Sequence, residues 1–527
     1  MSSQNDSTGP SRRDVLAVAG AAGIAAGVGS LVGHAEAQQP AQTRHVIIVG
    51  AGLSGLCAAY QVQQRKGWTY TILEAERQHI GGRIRTMPMD GGLRWEAGAM
   101  RIPEEHKTTL KYVKMFGLKT RPFVMTSAKT FKYARNTKAI AEADIRKLYN
   151  LTPAEDLSSE KLWRYGVKRF AEVAPSQPVD PEFDDVLTEL EANELRTANK
   201  FTLDRLIDYD RLSLRQLIQT AKINGQPLSD EAIEFLLFSF GNLTIQHGAA
   251  TEFLREENIG VWDKDFFELE KGSSSLPNAF KDRLKTSPKM GHEVIRLERA
   301  GKRVRAHYRH GNARGVEEGD FLICTIPFPV LAGVQADPPF SSEKRRAILE
   351  MGYDSGTKVA IKVKKRFWEL NNGIYGGVST TDLMSGSIIY PSDNAFDKTG
   401  EAPKDPAKSH EPAVLLASYC WGQDARRLGA LPASEREATV VRMVSAVHPE
   451  LCEPGMIMKT ASWAWDTYRW CGGAFAFYQP GQFQRMHKHV IEPEGRIYFA
   501  GEHCSHSHSW MQGALESAES AVDALVT

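Results

Sequence analysis

The chain has almost no net charge: 65 basic residues stand against 64 acidic ones, a balance of +1 over 527 residues. Without a global field, neither nucleic acid nor an anionic membrane surface is favoured as a partner, and charge selectivity has to be local. The six cysteines (Cys57, Cys324, Cys420, Cys452, Cys471, Cys504) include no C-x-x-C pair, so neither a zinc ribbon nor a disulfide scaffold is indicated. No repeat of solenoid period is present. The one long weakly apolar run, Ala/Gly/Val/Leu up to about Val32, is glycine-rich and shorter than the ~20 residues of a good spanning helix, so no stable membrane anchor is expected. With 42% hydrophobic and 24% charged residues the remainder reads as an ordinary globular protein, too long for one core and expected to form two or three domains.

Residues 1–37 are a different material from the rest. Ser11-Arg12-Arg13-Asp14-Val15-Leu16 precedes the apolar run, and Ala35-Glu36-Ala37 supplies a small-x-small site before Gln38. Paired arginines, a weak apolar stretch and a cleavage site form the pattern of a twin-arginine export signal. A periplasmic or secreted location is the expectation. That route carries folded proteins, and so suits a chain loaded with a bound group beforehand.

His45-Val46-Ile47-Ile48-Val49 is a short apolar, β-branched run of the kind a buried parallel strand requires. It enters Gly50-Ala51-Gly52-Leu53-Ser54-Gly55, a G-x-G-x-x-G, after which Leu56, Cys57, Tyr60 and Gln61 continue at helical spacing. A second apolar run, Tyr70 to Leu73, ends at Glu74, followed by Ala75. Each part has a task in holding a dinucleotide. Gly50 turns the chain, Gly52 lets a pyrophosphate approach the backbone, and Gly55 permits close helix–strand packing. The helix N-terminus offers free N–H groups to phosphate, and Glu74 can accept from ribose hydroxyls.

Further on stand Gly81-Gly82-Arg83 and Glu96-Ala97-Gly98-Ala99-Met100-Arg101, and near the far end Tyr498-Phe499-Ala500-Gly501-Glu502. After these, Met511, Leu515, Ala518, Val522 and Leu525 recur at helical spacing, the apolar stripe of a closing helix. Together these stretches resemble the flavin-containing amine oxidase superfamily, with motifs at both ends of the chain. The resemblance implies a discontinuous Rossmann-type α/β domain binding FAD, with Arg83 facing the phosphates and Glu502 the ribityl or phosphate region. A helix starting near Trp510, carrying Met511 and Ala514, would aim its positive end at the flavin. Val294 resembles the adenine-side strand, and Trp463 another cofactor-side aromatic.

Gly98-Ala99-Met100-Arg101-Ile102-Pro103 with Glu104-Glu105-His106 is similar to the L-amino acid oxidase branch. There Arg101 would grip the substrate α-carboxylate, as a planar guanidinium fork suits. Tyr419 takes by position a second hydrogen bond to that carboxylate. Ser509 and Trp510 would flank the substrate amine. Lys358 and Lys362 alternate along Lys358-Val359-Ala360-Ile361-Lys362-Val363, and alternation alone suggests a solvated lysine face. The resemblance instead takes Lys358 to a water beside the flavin.

Two departures matter. Some members tether FAD through a cysteine directly after a Gly-Gly pair, whereas Gly472-Gly473 is followed here by Ala474, so binding is expected to be non-covalent. Venom members place a histidine near Leu254-Arg255-Glu256-Glu257; none stands here, and no base is assigned. His503, Cys504, His506 and His508 crowd one loop with no remote partner and are read as cavity wall, with no metal expected.

The expected organisation is a cofactor domain from about 43–106, 262–350 and 456–527, a mixed-sheet substrate domain from 107–142 and 351–455, and a helical insertion at 143–261 with spacing at Leu187, Leu190 and Leu195. Asn394 to Pro412 reads as a surface loop. The expected reaction is oxidative deamination of an L-amino acid by oxygen, to a 2-oxo acid, ammonia and hydrogen peroxide. The alternatives are a tryptophan 2-monooxygenase-like or a monoamine or polyamine oxidase activity. A homodimer is implied by the resemblance alone.

Overall fold

Five parallel strands carry the amino-terminal glycine loop. The computed structural model describes residues 43–168, 170 and 209–525, so the expected export signal and Leu187, Leu190 and Leu195 lie outside the described residues. Strand β1 (Arg44–Val49) is buried over its last four residues, as its apolar run demands. It lies between β2 (Trp68–Glu74) and the strand Phe321–Cys324. Lys289–Met290 extends the sheet beyond β2, and Ile497–Phe499 extends it on the other side. All four pairings are parallel, the α/β arrangement that the first motif requires.

Helix α1 (Leu53–Val62) follows the glycine loop and packs on the closing helix, Met511–Ala524. The apolar stripe of that helix is buried throughout. Gly55 sits where α1 crosses the loop: a Cβ there would lie 2.0 Å from the Gly50 carbonyl oxygen. Gly55→Ala is therefore expected to cost at least about 1–3 kcal/mol of stability by overpacking. Melting temperature measures it, and no change would contradict the close packing.

A four-stranded sheet, ordered Ala313–Gly319, Arg303–His310, Glu293–Ala300 and Gln335–Asp337, covers one side of the cofactor-binding part. A seven-stranded mixed sheet forms the second part. In it Gly356–Val363 runs between Ala413–Trp421 and Ile457–Ala464 and is buried along its whole length. The strand Ile457–Ala464 corrects the expected boundary at 456. Its ladder with Gly356–Val363 binds it to this sheet, a long-range pairing that local pattern does not reveal.

Short helices, including Ser159–Trp163, Leu214–Gln219, Asp230–Ser239 and Ala250–Asn258, form a third part with its own core around Leu162, Leu217, Phe235 and Leu254. The described residues hold together as one unit. No helix among the described residues is long and apolar enough to cross a membrane.

Candidate active site

One cavity of about 1200 Å³ runs from the glycine loop to the seven-stranded sheet. Single drug-sized ligands occupy roughly 300–1,000 Å³, so there is room for a large cofactor with a small substrate. At one end Gly50, Gly52, Leu53 and Ser54 line it, with Glu74 and Ala75 at the end of β2 and Val294 from the four-stranded sheet. Gly50 has φ +103°, a conformation that glycine adopts readily. A Cβ on Gly52 would meet nothing closer than the Gly82 Cα at 4.0 Å, so this backbone stays open to an approaching ligand. The Glu74 carboxylate accepts from the Ala51 and Glu76 amides and anchors loop to strand. This cradle and the uncapped start of α1 fit a dinucleotide's phosphates.

The middle of the cavity holds Gly82, Arg83, Gly501 and Glu502. Arg83 donates to Glu502 at 2.7 Å, and Glu502 also accepts from the Ser509 amide at 2.8 Å and from the Ala476 amide. Burial opposes ionisation of Glu502, but the Arg83 charge and the other groups facing it, the Ser509 amide among them, together outweigh it, and the carboxyl is held at about 2. The closing helix begins here with Met511 and Ala514 on the cavity wall and no side-chain cap on its first turn. Its positive end therefore faces the site. Ser509 has φ +67°, a strained conformation for a non-glycine residue, held by the bond from its amide to Glu502.

The far end gathers Gly98, Ala99, Met100, Arg101, Lys358, Tyr419, Ser509 and Trp510. Lys358 is buried and donates to the Gly98 carbonyl at 2.7 Å and the Glu96 carbonyl at 3.2 Å, with its Nζ 4.3 Å from the Tyr419 ring centroid. Burial pushes the lysine down to about 7; Glu96 acts in the opposite direction, and Arg101 lowers it further. The solvated face that alternation suggests does not form, because the 86–100 segment lies over it: Lys358 reaches the Glu96 and Gly98 carbonyls and Lys362 the Asp90 carbonyl. Burial also lowers Arg101 and raises the Tyr419 hydroxyl. The Arg101 guanidinium lies 5.4, 5.8 and 5.7 Å from the ring centroids of Trp262, Phe266 and Trp510, and has no ion-pair partner among the described residues.

Two expected residues lie off the wall. Gly55 is inside the α1 packing, as its close-packing task requires. Trp463 packs its ring on the Arg85 guanidinium at 4.6 Å, and the wall residue is Trp465, whose indole donates to the Ala97 carbonyl at 2.9 Å. The strand ends at Ala464, and Trp465 sits at the bend that follows, its amide still donating to the Gly356 carbonyl. The histidines of the 503–508 segment are spread apart. His503 packs on Phe328, His506 on His487, and His508 faces Glu252.

Sequence reasoning missed Glu256. Its carboxylate accepts from the Trp510 indole at 2.7 Å and the Trp262 indole at 2.9 Å. Burial pushes it up to about 7, against both hydrogen bonds. A signal existed: Glu252 and Glu256 stand four apart on the helix Ala250–Asn258 and so share a face.

The sequence profile of the family described as "Flavin containing amine oxidoreductase" matches residues 53–526. YobN of Bacillus subtilis (strain 168) is 32% identical over 483 residues, covering 90% of this chain and 93% of its own length. The L-amino-acid oxidase of Siganus canaliculatus is 30% identical over 487 residues, covering 90% and 84%. A putrescine oxidase variant redesigned in its cofactor binding superposes with TM-score 0.68 over 92% of this chain and 99% of its own, at 17% identity, a likeness of fold.

Proposed function

Because the chain belongs to the flavin-containing amine oxidoreductase family, we propose that it oxidises the Cα–N bond of L-amino acids. The observation that carries this reading is Arg101: a half-buried guanidinium with no ion-pair partner among the described residues, lined up by aromatic rings beside Lys358. An amine without a carboxylate would leave that charge uncompensated; an α-carboxylate matches its fork. The Siganus relative's name supports the same class. The cofactor is FAD, fitted by the glycine cradle, Glu74 and Arg83; when bound it takes two electrons from the substrate and passes them to oxygen.

Arg101 holds the carboxylate, with the Tyr419 hydroxyl beside it. Trp510 closes one side and fixes the amine's approach. The substrate loses the Cα hydrogen with its electron pair and one proton from nitrogen, forming a C=N bond. Water then hydrolyses the imino acid to a 2-oxo acid and ammonia, and oxygen is reduced to hydrogen peroxide. Positioning supplies much of the rate. Product analysis tests the reading: 2-oxo acid, ammonia and peroxide in equal amounts are expected, whereas an amide or an aldehyde would overturn it.

FAD is held without a covalent bond in this reading. Ala474 lines the cavity after Gly472-Gly473 and offers no nucleophile, and burial pushes the neighbouring Cys471 thiol up to about 12. Acid precipitation is therefore expected to release all the flavin; colour retained in the pellet would contradict this. Export by the 1–37 segment and assembly as a homodimer complete the proposal. They rest on the paired arginines and on family resemblance, and fractionation of the expressing cell and sedimentation test them.

A further inference from the structure

The guanidinium of Arg101 is placed by aromatic rings and not by an ion pair. Rings restrain a cation only if they are themselves restrained, since a cation–π contact falls away once the face turns. Trp510 stands at the start of the closing helix, and Trp262 lies beyond the end of the helix Ala250–Asn258, 248 positions earlier. Nothing local couples their side chains. The coupling is Glu256, which accepts the Trp510 indole on Oε1 and the Trp262 indole on Oε2. One carboxylate thereby fixes two rings whose centroids are 6.0 Å apart at 61°, with Arg101 over both. His106 packs edge-on against Trp510 at 4.8 Å and adds to that ring's restraint.

We propose that Glu256 is the positioning residue for Arg101: by clamping the two indoles it keeps the guanidinium aimed into the cavity for the substrate carboxylate. This rests on the reading of Arg101 as carboxylate receptor. The chemistry of the clamp is specific. Both indoles donate only, and they reach different oxygens, so keeping this geometry takes a residue that accepts on two atoms. A carboxylate does so; an amide has one acceptor oxygen and sets its NH2 against the other indole.

The test uses the holoenzyme and three variants: Glu256→Gln, Trp262→Phe (which keeps a ring under Arg101 but removes the N–H), and the double substitution. Benzoate, an inert carboxylate, is titrated by calorimetry, and KM is compared with the saturating rate of flavin bleaching by an L-amino acid. Glu256→Gln is expected to weaken benzoate and raise KM by about tenfold, with the saturating rate changed less than about threefold. Trp262→Phe is expected to act in the same direction, and the double variant to be no worse than the worse single, because both remove one clamp. Unchanged benzoate affinity in Glu256→Gln overturns the proposal. So does a fall in saturating rate with benzoate affinity intact, which would give Glu256 a part in proton handling. Multiplying effects in the double variant would likewise overturn it. If Glu256→Gln does not fold, Trp262→Phe decides by the same benzoate measurement. Failure of the underlying reading is separable: Arg101→Ala would then leave benzoate binding unchanged.

Discussion

Replacing Arg101 with alanine is expected to raise KM for L-amino acids by about ten- to a hundredfold, the worth of hydrogen bonds to a charged group. The size follows from the setting. The guanidinium has no ion-pair partner among the described residues, and burial already works against its charge. A carboxylate entering the cavity therefore relieves a desolvation cost as well as forming bonds. Arg101→Lys should recover only part of the loss, because a point charge on a flexible stem replaces a planar fork. Steady-state kinetics with one good amino acid and its decarboxylated amine separate the effects. The amine should be nearly indifferent to the substitution. Unchanged KM for the amino acid would remove Arg101 from carboxylate binding.

Lys358→Met should slow the return of flavin absorbance on mixing with oxygen by at least about tenfold, while leaving bleaching by substrate less affected. A buried ammonium at the far end of the cavity stabilises negative charge arriving with electron transfer to oxygen. With the group at about 7, Lys358 is charged below that pH and neutral above it. The oxygen step of the native protein should therefore slow as pH rises through about 7, and the variant should lack that dependence. Glu96 titrates in the same range, pushed up by burial, and its backbone carbonyl holds Lys358. An unchanged oxygen step in the variant would place the lysine in a structural role.

What the sequence made legible was what is local. β1, the glycine loop, α1 and Glu74 follow one another within thirty residues, and each obeys a short-range rule. The stripe from Met511 to Leu525 is legible for the same reason. Lys358 was not legible from alternation, because the face that carries it is covered by the 86–100 segment, some 260 residues earlier, and a local pattern does not show that cover. Only motif resemblance pointed inward. The box around Arg101 was invisible, since residues 101, 256, 262, 266 and 510 meet from three widely separated stretches of the chain. Asn394 was read as the start of a surface loop from its polar neighbours. It is fully buried, and its amide donates to Glu369 at 2.7 Å, because the buried Arg366 needs that carboxylate held in place.

The most direct test of the account is anaerobic titration of the purified yellow protein with single L-amino acids, followed at the oxidised flavin band. The account predicts bleaching by at least one L-amino acid, no bleaching by its D-form, far slower bleaching by its decarboxylated amine, and recovery of colour in air with peroxide formed. Bleaching by primary amines or polyamines, and by no L-amino acid, would contradict it.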